Sequence, residues 1–146
     1  MRVILTGGTG FIGRALALAL AERHDEVVVV SRHPKGSAVP WDAIESEVER
    51  ADAVVHLAGE PVADRRWTDA RLESIRTSRI DSTARVARAI QKATRKPRVF
   101  VSGSAVGYYG MRSDDRVLDE SSPPGDDVLA RICVAWEAAA DPARRG

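Results

Sequence analysis

Residues 6–13 read Thr6-Gly7-Gly8-Thr9-Gly10-Phe11-Ile12-Gly13, and the rest of the chain is organised around them. Arg2-Val3-Ile4-Leu5 precedes them, a short apolar run rich in β-branched residues. Arg14-Ala15-Leu16-Ala17-Leu18-Ala19-Leu20-Ala21 follows, strongly helix-forming and apolar on most faces. A buried strand, a glycine turn and a helix form the context that gives a dinucleotide fingerprint its meaning. Glycine has no Cβ, so the backbone turns sharply and lets a pyrophosphate come close. The new helix then presents unpaired N–H groups and the positive end of its dipole to that anion. Gly8, Gly10 and Gly13 satisfy G-x-G-x-x-G, while Gly7, Gly10 and Gly13 satisfy G-x-x-G-x-x-G. The backbone of Gly7, Thr9, Gly10, Phe11, Ile12 and Gly13 is the expected pyrophosphate site.

The second informative stretch is Val27-Val28-Val29-Val30, continuous and β-branched, as expected of a central parallel strand buried on both faces. In a fold of this type the end of the second strand selects the cofactor. An acidic residue there binds the ribose 2′-hydroxyl of NAD, and an arginine accommodates the 2′-phosphate of NADP. Ser31 and Arg32 stand at that place, with Lys35 close behind and no Asp or Glu. NADP is the expected cofactor, and NAD the less favoured one. Arg32 as a solvated surface residue is the alternative.

Ala38 to Trp41 reads as a short third strand, and Ile44 to Arg50 as a short helix. Ala53-Val54-Val55-His56-Leu57-Ala58-Gly59 reads as a fourth strand. Its end, Ala58-Gly59-Glu60-Pro61, is small enough for a cofactor ribose to lie against the backbone, and Leu57, Ala58, Gly59 and Glu60 are expected cofactor contacts. His56 sits mid-strand between apolar neighbours, which favours a hydrogen-bonded core histidine over a catalytic one. Thr68 is a plausible N-cap for a long helix running to about Ala93. Leu72, Ile75, Thr83, Val86, Ala87 and Ile90 form its apolar stripe. Arg79 falls on the same face and points either to a cofactor cleft or to solvent. Arg98 to Ser102 reads as a fifth strand.

After it comes Ser102-Gly103-Ser104-Ala105-Val106-Gly107-Tyr108-Tyr109-Gly110. Small and hydroxylated residues at the carboxyl end of a parallel strand lie where α/β sheets bind ligands. Ser102 and Ser104 are expected along the cofactor path, and Ser104 is also placed to hydrogen-bond a substrate oxygen. Tyr108 and Tyr109 are the chain's only tyrosines. A phenol of lowered pKa exchanges a proton in carbonyl chemistry. A packed loop with aromatic filler is the other reading. Residues 111–127 read as a loop, and Val128 to Ala140 as a helix.

The whole-chain properties narrow the class. At 146 residues there is room for one domain with a sizeable core. A net charge of +1 points neither to nucleic acid nor to a polybasic membrane anchor. No apolar run approaches the roughly 20 residues that span a bilayer. The lone Cys133 rules out an intramolecular disulfide and a multi-cysteine zinc site. With a strand rather than a signal peptide at the N-terminus, a cytoplasmic protein without a bound metal is expected.

These residues together resemble the short-chain dehydrogenase/reductase superfamily, in its extended, epimerase-like branch, and within that an atypical group of NAD(P)-dependent epimerase/dehydratase-like proteins. The resemblance is carried by residues 6–13, His56-Leu57-Ala58-Gly59-Glu60-Pro61, Arg66-Trp67, Ser78-Arg79 with Ser82-Thr83, residues 104–110, and Trp136-Glu137. It implies a Rossmann-like, doubly wound parallel sheet of order 3-2-1-4-5. It also implies NADP binding and a Ser-Tyr-Lys apparatus acting on sugar-like or carbonyl substrates. Two departures stand out. The superfamily's Tyr-x-x-x-Lys falls where this chain has Leu129-Ala130-Arg131-Ile132-Cys133, so Ser104 carries over while the tyrosine and lysine do not. Tyr109 or Tyr108 is the candidate substitute. The chain also stops where a sixth strand would begin, so a truncated or natural fragment lacking the substrate-binding part is expected. An apolar fifth strand left at the edge is expected to pair with a second copy. The NADP-binding domain of an atypical oxidoreductase or sugar-nucleotide-type epimerase, inactive on its own and acting on a small molecule only in the parent protein, is the first functional expectation. A module that binds NADP without turnover, as a sensor or for protein interaction, is the second.

Overall fold

The computed structural model describes residues 1–145. Five strands form one parallel sheet: β1 (Arg2–Thr6), β2 (Glu26–Ser31), β3 (Val39–Pro40), β4 (Ala53–His56) and β5 (Val99–Ser102). Their order is β3-β2-β1-β4-β5, the doubly wound arrangement that the glycine turn and the resemblance predict. Three helices connect them, α1 (Phe11–Glu22), α2 (Ile44–Val48) and α3 (Asp69–Lys92), and α4 (Val128–Ala138) follows β5. Among the described residues no helix is long and apolar enough to cross a membrane.

The register decides where the site lies. Thr6 pairs with Val30 on one side and with His56 on the other, and His56 pairs with Ser102. The carboxyl ends of β1, β2, β4 and β5 therefore stop at one level. The segments that leave them (Gly7 onward, Arg32 onward, Leu57 onward and Gly103 onward) emerge side by side, as ligand sites in open α/β sheets require.

The core lies mainly between the sheet and the α2–α3 layer. Ile4, Val30 and Val54 meet Ile44, Val48, Val86 and Ile90 there, with Phe100 packed against them. Strand side chains alternate between faces, so their neighbours in sequence point to the α1 side. On that side Leu5 is fully buried. At the β5 edge Val99 and Val101 are half exposed.

One expectation needs correction. The four valines of β2 are not buried on both faces: only Val30 is, and Val27, Val28 and Val29 are half-buried. The reason is that β3 pairs only with Val30 and Ser31, which leaves the first part of β2 as a sheet edge. The apolar α1 is also less enclosed than its composition suggests, since only Gly13 is buried in it and Leu18 is exposed. The long helix does start at its expected cap, with Thr68 Oγ1 accepting from the Arg71 N–H at 3.2 Å.

Candidate functional site

The glycine turn is built by close approach of backbone to backbone. Gly7 has φ +73°, and a Cβ there would lie 2.6 Å from the Leu57 carbonyl carbon. A Cβ on Gly13 would lie 2.2 Å from the Gly7 carbonyl oxygen. That same oxygen accepts from the Gly10 N–H at 3.0 Å. Of the two glycine spacings, Gly7, Gly10 and Gly13 therefore close the turn. Gly8 does a separate job and lets Val29 and Leu5 pack beneath it.

Helix α1 begins at Gly10 with no side-chain cap and no acidic residue in its first turn. The other two long helices are capped: α3 by Thr68, and α4 by Asp127, which accepts from the Ala130 N–H at 2.9 Å. A helix start without a cap leaves N–H donors open to an anion. Phe11 and Ile12, in the first turn of α1, are exposed at 96% and 67% although apolar. Arg14 Nε reaches back to the Thr9 carbonyl at 2.8 Å and braces the turn.

Beside the turn lies the end of β4, held by α3. The Glu60 N–H donates to Ser78 Oγ at 3.0 Å, and Arg79 Nη1 donates to the Glu60 carbonyl at 2.9 Å. Arg79 also donates to its own helix at the Ile75 carbonyl and lies over the Trp136 ring at 5.2 Å. It thus faces the cleft side of α3, and its hydrogen bonds anchor the Gly59–Glu60 segment. The Glu60 carboxylate receives Arg32 Nη1 at 2.7 Å and Arg71 Nη1 at 3.1 Å. These bonds, Arg32's first, hold its carboxyl below the ordinary carboxylate value. Ser31 Oγ accepts from the His33 N–H, and Lys35 stays on the exposed turn beyond.

His56 is the core histidine that its neighbours indicate. It is fully buried, between Thr6 Oγ1 at 2.6 Å from Nδ1 and Ser82 Oγ at 3.1 Å from Nε2. Ser82 already donates its hydroxyl to the Ser78 carbonyl. Nε2 must therefore carry the ring proton, and Nδ1 accepts from Thr6. Burial pushes the imidazole down to about 4, so it is neutral near pH 7.

The serine loop forms the other end of the cleft. Ser104, Tyr108, Tyr109, Glu120 and Glu137 line a cavity of about 370 Å³ together with Ala105 and Val106. Ser104 Oγ donates to Glu137 Oε1 at 2.5 Å. The two tyrosine rings meet edge to face at 5.3 Å, and the Tyr109 hydroxyl donates to the Asp119 carbonyl at 2.9 Å. Ser102 Oγ turns to the neighbouring Gly103 carbonyl. Helix α4 packs on this loop with Leu129 and Cys133 against Gly107. Cys133 is buried, and burial raises its thiol above the ordinary value. The first turns of α4 thus bring neither a phenol nor an ammonium to the serine. Glu137 and Arg71 carry no functional reading from spacing alone. Glu137 entered only as part of the Trp136-Glu137 resemblance, and Arg71 falls one turn before Ile75, at the margin of the apolar stripe. Among the described residues no group of three or more His, Cys, Asp or Glu side chains is placed to hold a metal.

Comparison with known proteins agrees with this geometry. The model of the NAD dependent epimerase/dehydratase family matches residues 3–128. The bovine epimerase family protein SDR39U1 is 42% identical over 144 residues, covering 96% of this chain and 49% of the relative. The crystal structure of human epimerase family protein SDR39U1 (isoform 2) with NADPH superimposes with a TM-score of 0.89 at 40% identity, over 96% of this chain and 48% of that one. A nucleoside-diphosphate sugar epimerase from Corynebacterium glutamicum gives a TM-score of 0.85 at 37% identity, over 99% of this chain and 31% of that one. The chain spans about half the length of the curated relatives it matches. By the glycine turn, the strand order and a family match that runs through nearly all of its elements, the chain belongs to the NAD dependent epimerase/dehydratase family.

Proposed function

We propose that this chain is the NADP-binding half of an oxidoreductase or epimerase that acts on a sugar-like or carbonyl substrate. The observation that carries the reading is the uncapped start of α1 on a glycine turn where Gly7 and Gly13 admit no Cβ. The residues fit a dinucleotide on that ground. The backbone from Gly7 to Gly13 is placed to take the pyrophosphate, with Leu57, Ala58, Gly59, Ser102 and Ser104 along the path of the rest. Arg32, with Ser31 and Lys35 near it after β2, supports NADP over NAD, because a guanidinium at that strand end suits a 2′-phosphate. A bound nicotinamide supplies hydride transfer. The chain's own side chains that face the adjoining cavity are Ser104, Tyr108, Tyr109 and Glu137. In a catalytic parent, Ser104 hydrogen-bonds the substrate oxygen, and Tyr109 or Tyr108 is the proton donor.

The second reading, NADP binding without turnover, is favoured by one feature. By the family resemblance, Leu129 and Cys133 stand where the superfamily's tyrosine and lysine would fall, and the Tyr109 hydroxyl is committed to the Asp119 carbonyl.

Titration with NADPH and, separately, NADH tests the binding half of the proposal, read by nicotinamide fluorescence and tryptophan quenching. Saturable NADPH binding with weaker NADH is expected. Replacing Arg32 by Asp should weaken NADPH about tenfold or more relative to NADH, because it exchanges a charge-assisted phosphate contact for repulsion. An unchanged ratio makes the NADP assignment wrong. Hydride transfer by the full-length parent, lost on Ser104→Ala or on replacing a tyrosine, separates the catalytic reading from the sensing one.

A further inference from the structure

We propose that Glu60 is a latch on Arg32, one that a 2′-phosphate must open and a 2′-hydroxyl need not. On this proposal Glu60, as well as Arg32, sets how strongly the chain prefers a 2′-phosphorylated dinucleotide. The inference rests on the dinucleotide reading above.

Arg32 leaves the end of β2 and Glu60 follows the end of β4, with β1 and its glycine turn between them. Their ion pair, 2.7 Å from Arg32 Nη1 to Glu60 Oε1, therefore bridges two strands on either side of the turn. The two partners are not equally free. Glu60 is tied by its N–H to Ser78, by its carbonyl to Arg79 and by its second carboxylate oxygen to Arg71. Its side chain is 19% exposed, and that of Arg71 is 13% exposed. Arg32 is 70% exposed, and Glu60 holds it through Nη1. If the pair opens, Arg32 is the side that moves.

The charges explain what opening achieves. Arg71 pairs with both Glu60 and Asp64, the latter at 2.6 Å. Arg65 also lies 3.7 Å from Asp64, and Arg79 holds only the Glu60 main chain. In the closed pair the Glu60 carboxylate neutralises Arg32 itself, so Arg32 offers an arriving phosphate no free positive charge. Once Arg32 turns to the phosphate it brings a full cation, while Arg71 stays to neutralise Glu60. No bare carboxylate is left behind, so the exchange trades one ion pair for another. NADH demands no such exchange. The latch therefore holds the preference for NADPH below what an unpaired Arg32 would give. For a pair this exposed, the reduction is about two- to fivefold in affinity.

The test is a calorimetric titration of the wild-type chain, Glu60→Gln, Arg32→Ala and the double variant. The ligands are NADPH, NADH and adenosine 2′,5′-bisphosphate. Glu60→Gln should tighten NADPH and the bisphosphate about two- to fivefold and leave NADH unchanged. The gain should vanish in the Arg32→Ala background, since coupling in a double-mutant cycle measures the pair itself. A gain shared equally with NADH, a gain that persists without Arg32, or no gain at all overturns the latch. If the wild type binds NADPH and the cycle shows no coupling, the latch alone fails; if it binds neither dinucleotide, the proposed function fails with it. A measurement on the unaltered chain guards against a variant that does not fold. On adding the bisphosphate, the side-chain N–H resonances of Arg32 should shift and those of Arg71 stay. Equal movement of both, or of neither, overturns the proposal.

Discussion

The carboxyl ends of β1 and β5 both feed the cleft, yet they are built by different means. At β1 the geometry is made by backbone on backbone. Gly13 touches Gly7, Gly7 touches Leu57, and the helix start has no side-chain cap. At β5 one glycine contact of that kind remains, Gly125 against Gly110 and the Tyr109 carbonyl, but most of the reach across sequence is made by side chains. Ser104 finds Glu137, Tyr109 finds the Asp119 carbonyl, and Asp127 caps α4 while also accepting from the Met111 N–H at 2.9 Å. A turn made of backbone tolerates almost no change at its glycines and keeps its donors open. A loop made of side-chain pairs is able to vary while the scaffold persists, which is how one fold carries many chemistries.

The strongest way to break this contrast is Gly13→Ala. Its methyl group meets a backbone oxygen at 2.2 Å, and neither neighbour is able to move aside cheaply. A loss of about 3 kcal/mol or more is expected in denaturant unfolding, at the upper end for overpacking. A loss below about 1 kcal/mol would show that the turn is softer than its contacts imply.

His56 sits between the two ends, on β4, and its burial sets a pH dependence. Its folded value of about 4 lies below the ordinary 6.5. The unfolded chain therefore binds a proton that the folded chain refuses as pH falls from 6.5 to 4. The stability present above pH 6.5 is lost through that window, by about 3 kcal/mol for the one group. Urea midpoints measured at pH 7, 5.5 and 4 should fall accordingly. Replacing His56 by Gln should flatten that slope, and an unchanged slope would assign it to other groups.

Asp127→Ala should lower the unfolding midpoint by releasing both α4 and Met111, yet leave dinucleotide affinity intact, because the β1 end is built without it. Equal losses in both measurements would mean that the two ends are one cooperative unit. Glu137→Gln is the mildest change, since the residue is exposed. Stability should stay within about 0.5 kcal/mol. On the catalytic reading proposed above, a loss of turnover would then belong to chemistry at Ser104 rather than to folding.

The sequence alone determined a good deal of this molecule. The strand–glycine–helix order at the N-terminus and the runs of β-branched residues were sufficient for a parallel α/β sheet, and the family resemblance supplied its order, 3-2-1-4-5. Thr68 marked the start of α3, and the apolar neighbours of His56 marked it as core. These features are legible because they depend on local backbone preference and on periodicity, which act within a few residues. The partial exposure of β2 was not legible, because it depends on how far β3 happens to pair. Which glycines close the turn was equally hidden, since Leu57 and Gly7 lie 50 positions apart. Only the tertiary structure brought Arg32 to Glu60, Ser104 to Glu137 and Arg79 to the Glu60 carbonyl. Such partners are chosen by where the parallel register stops each strand, and no local pattern in the chain records that choice.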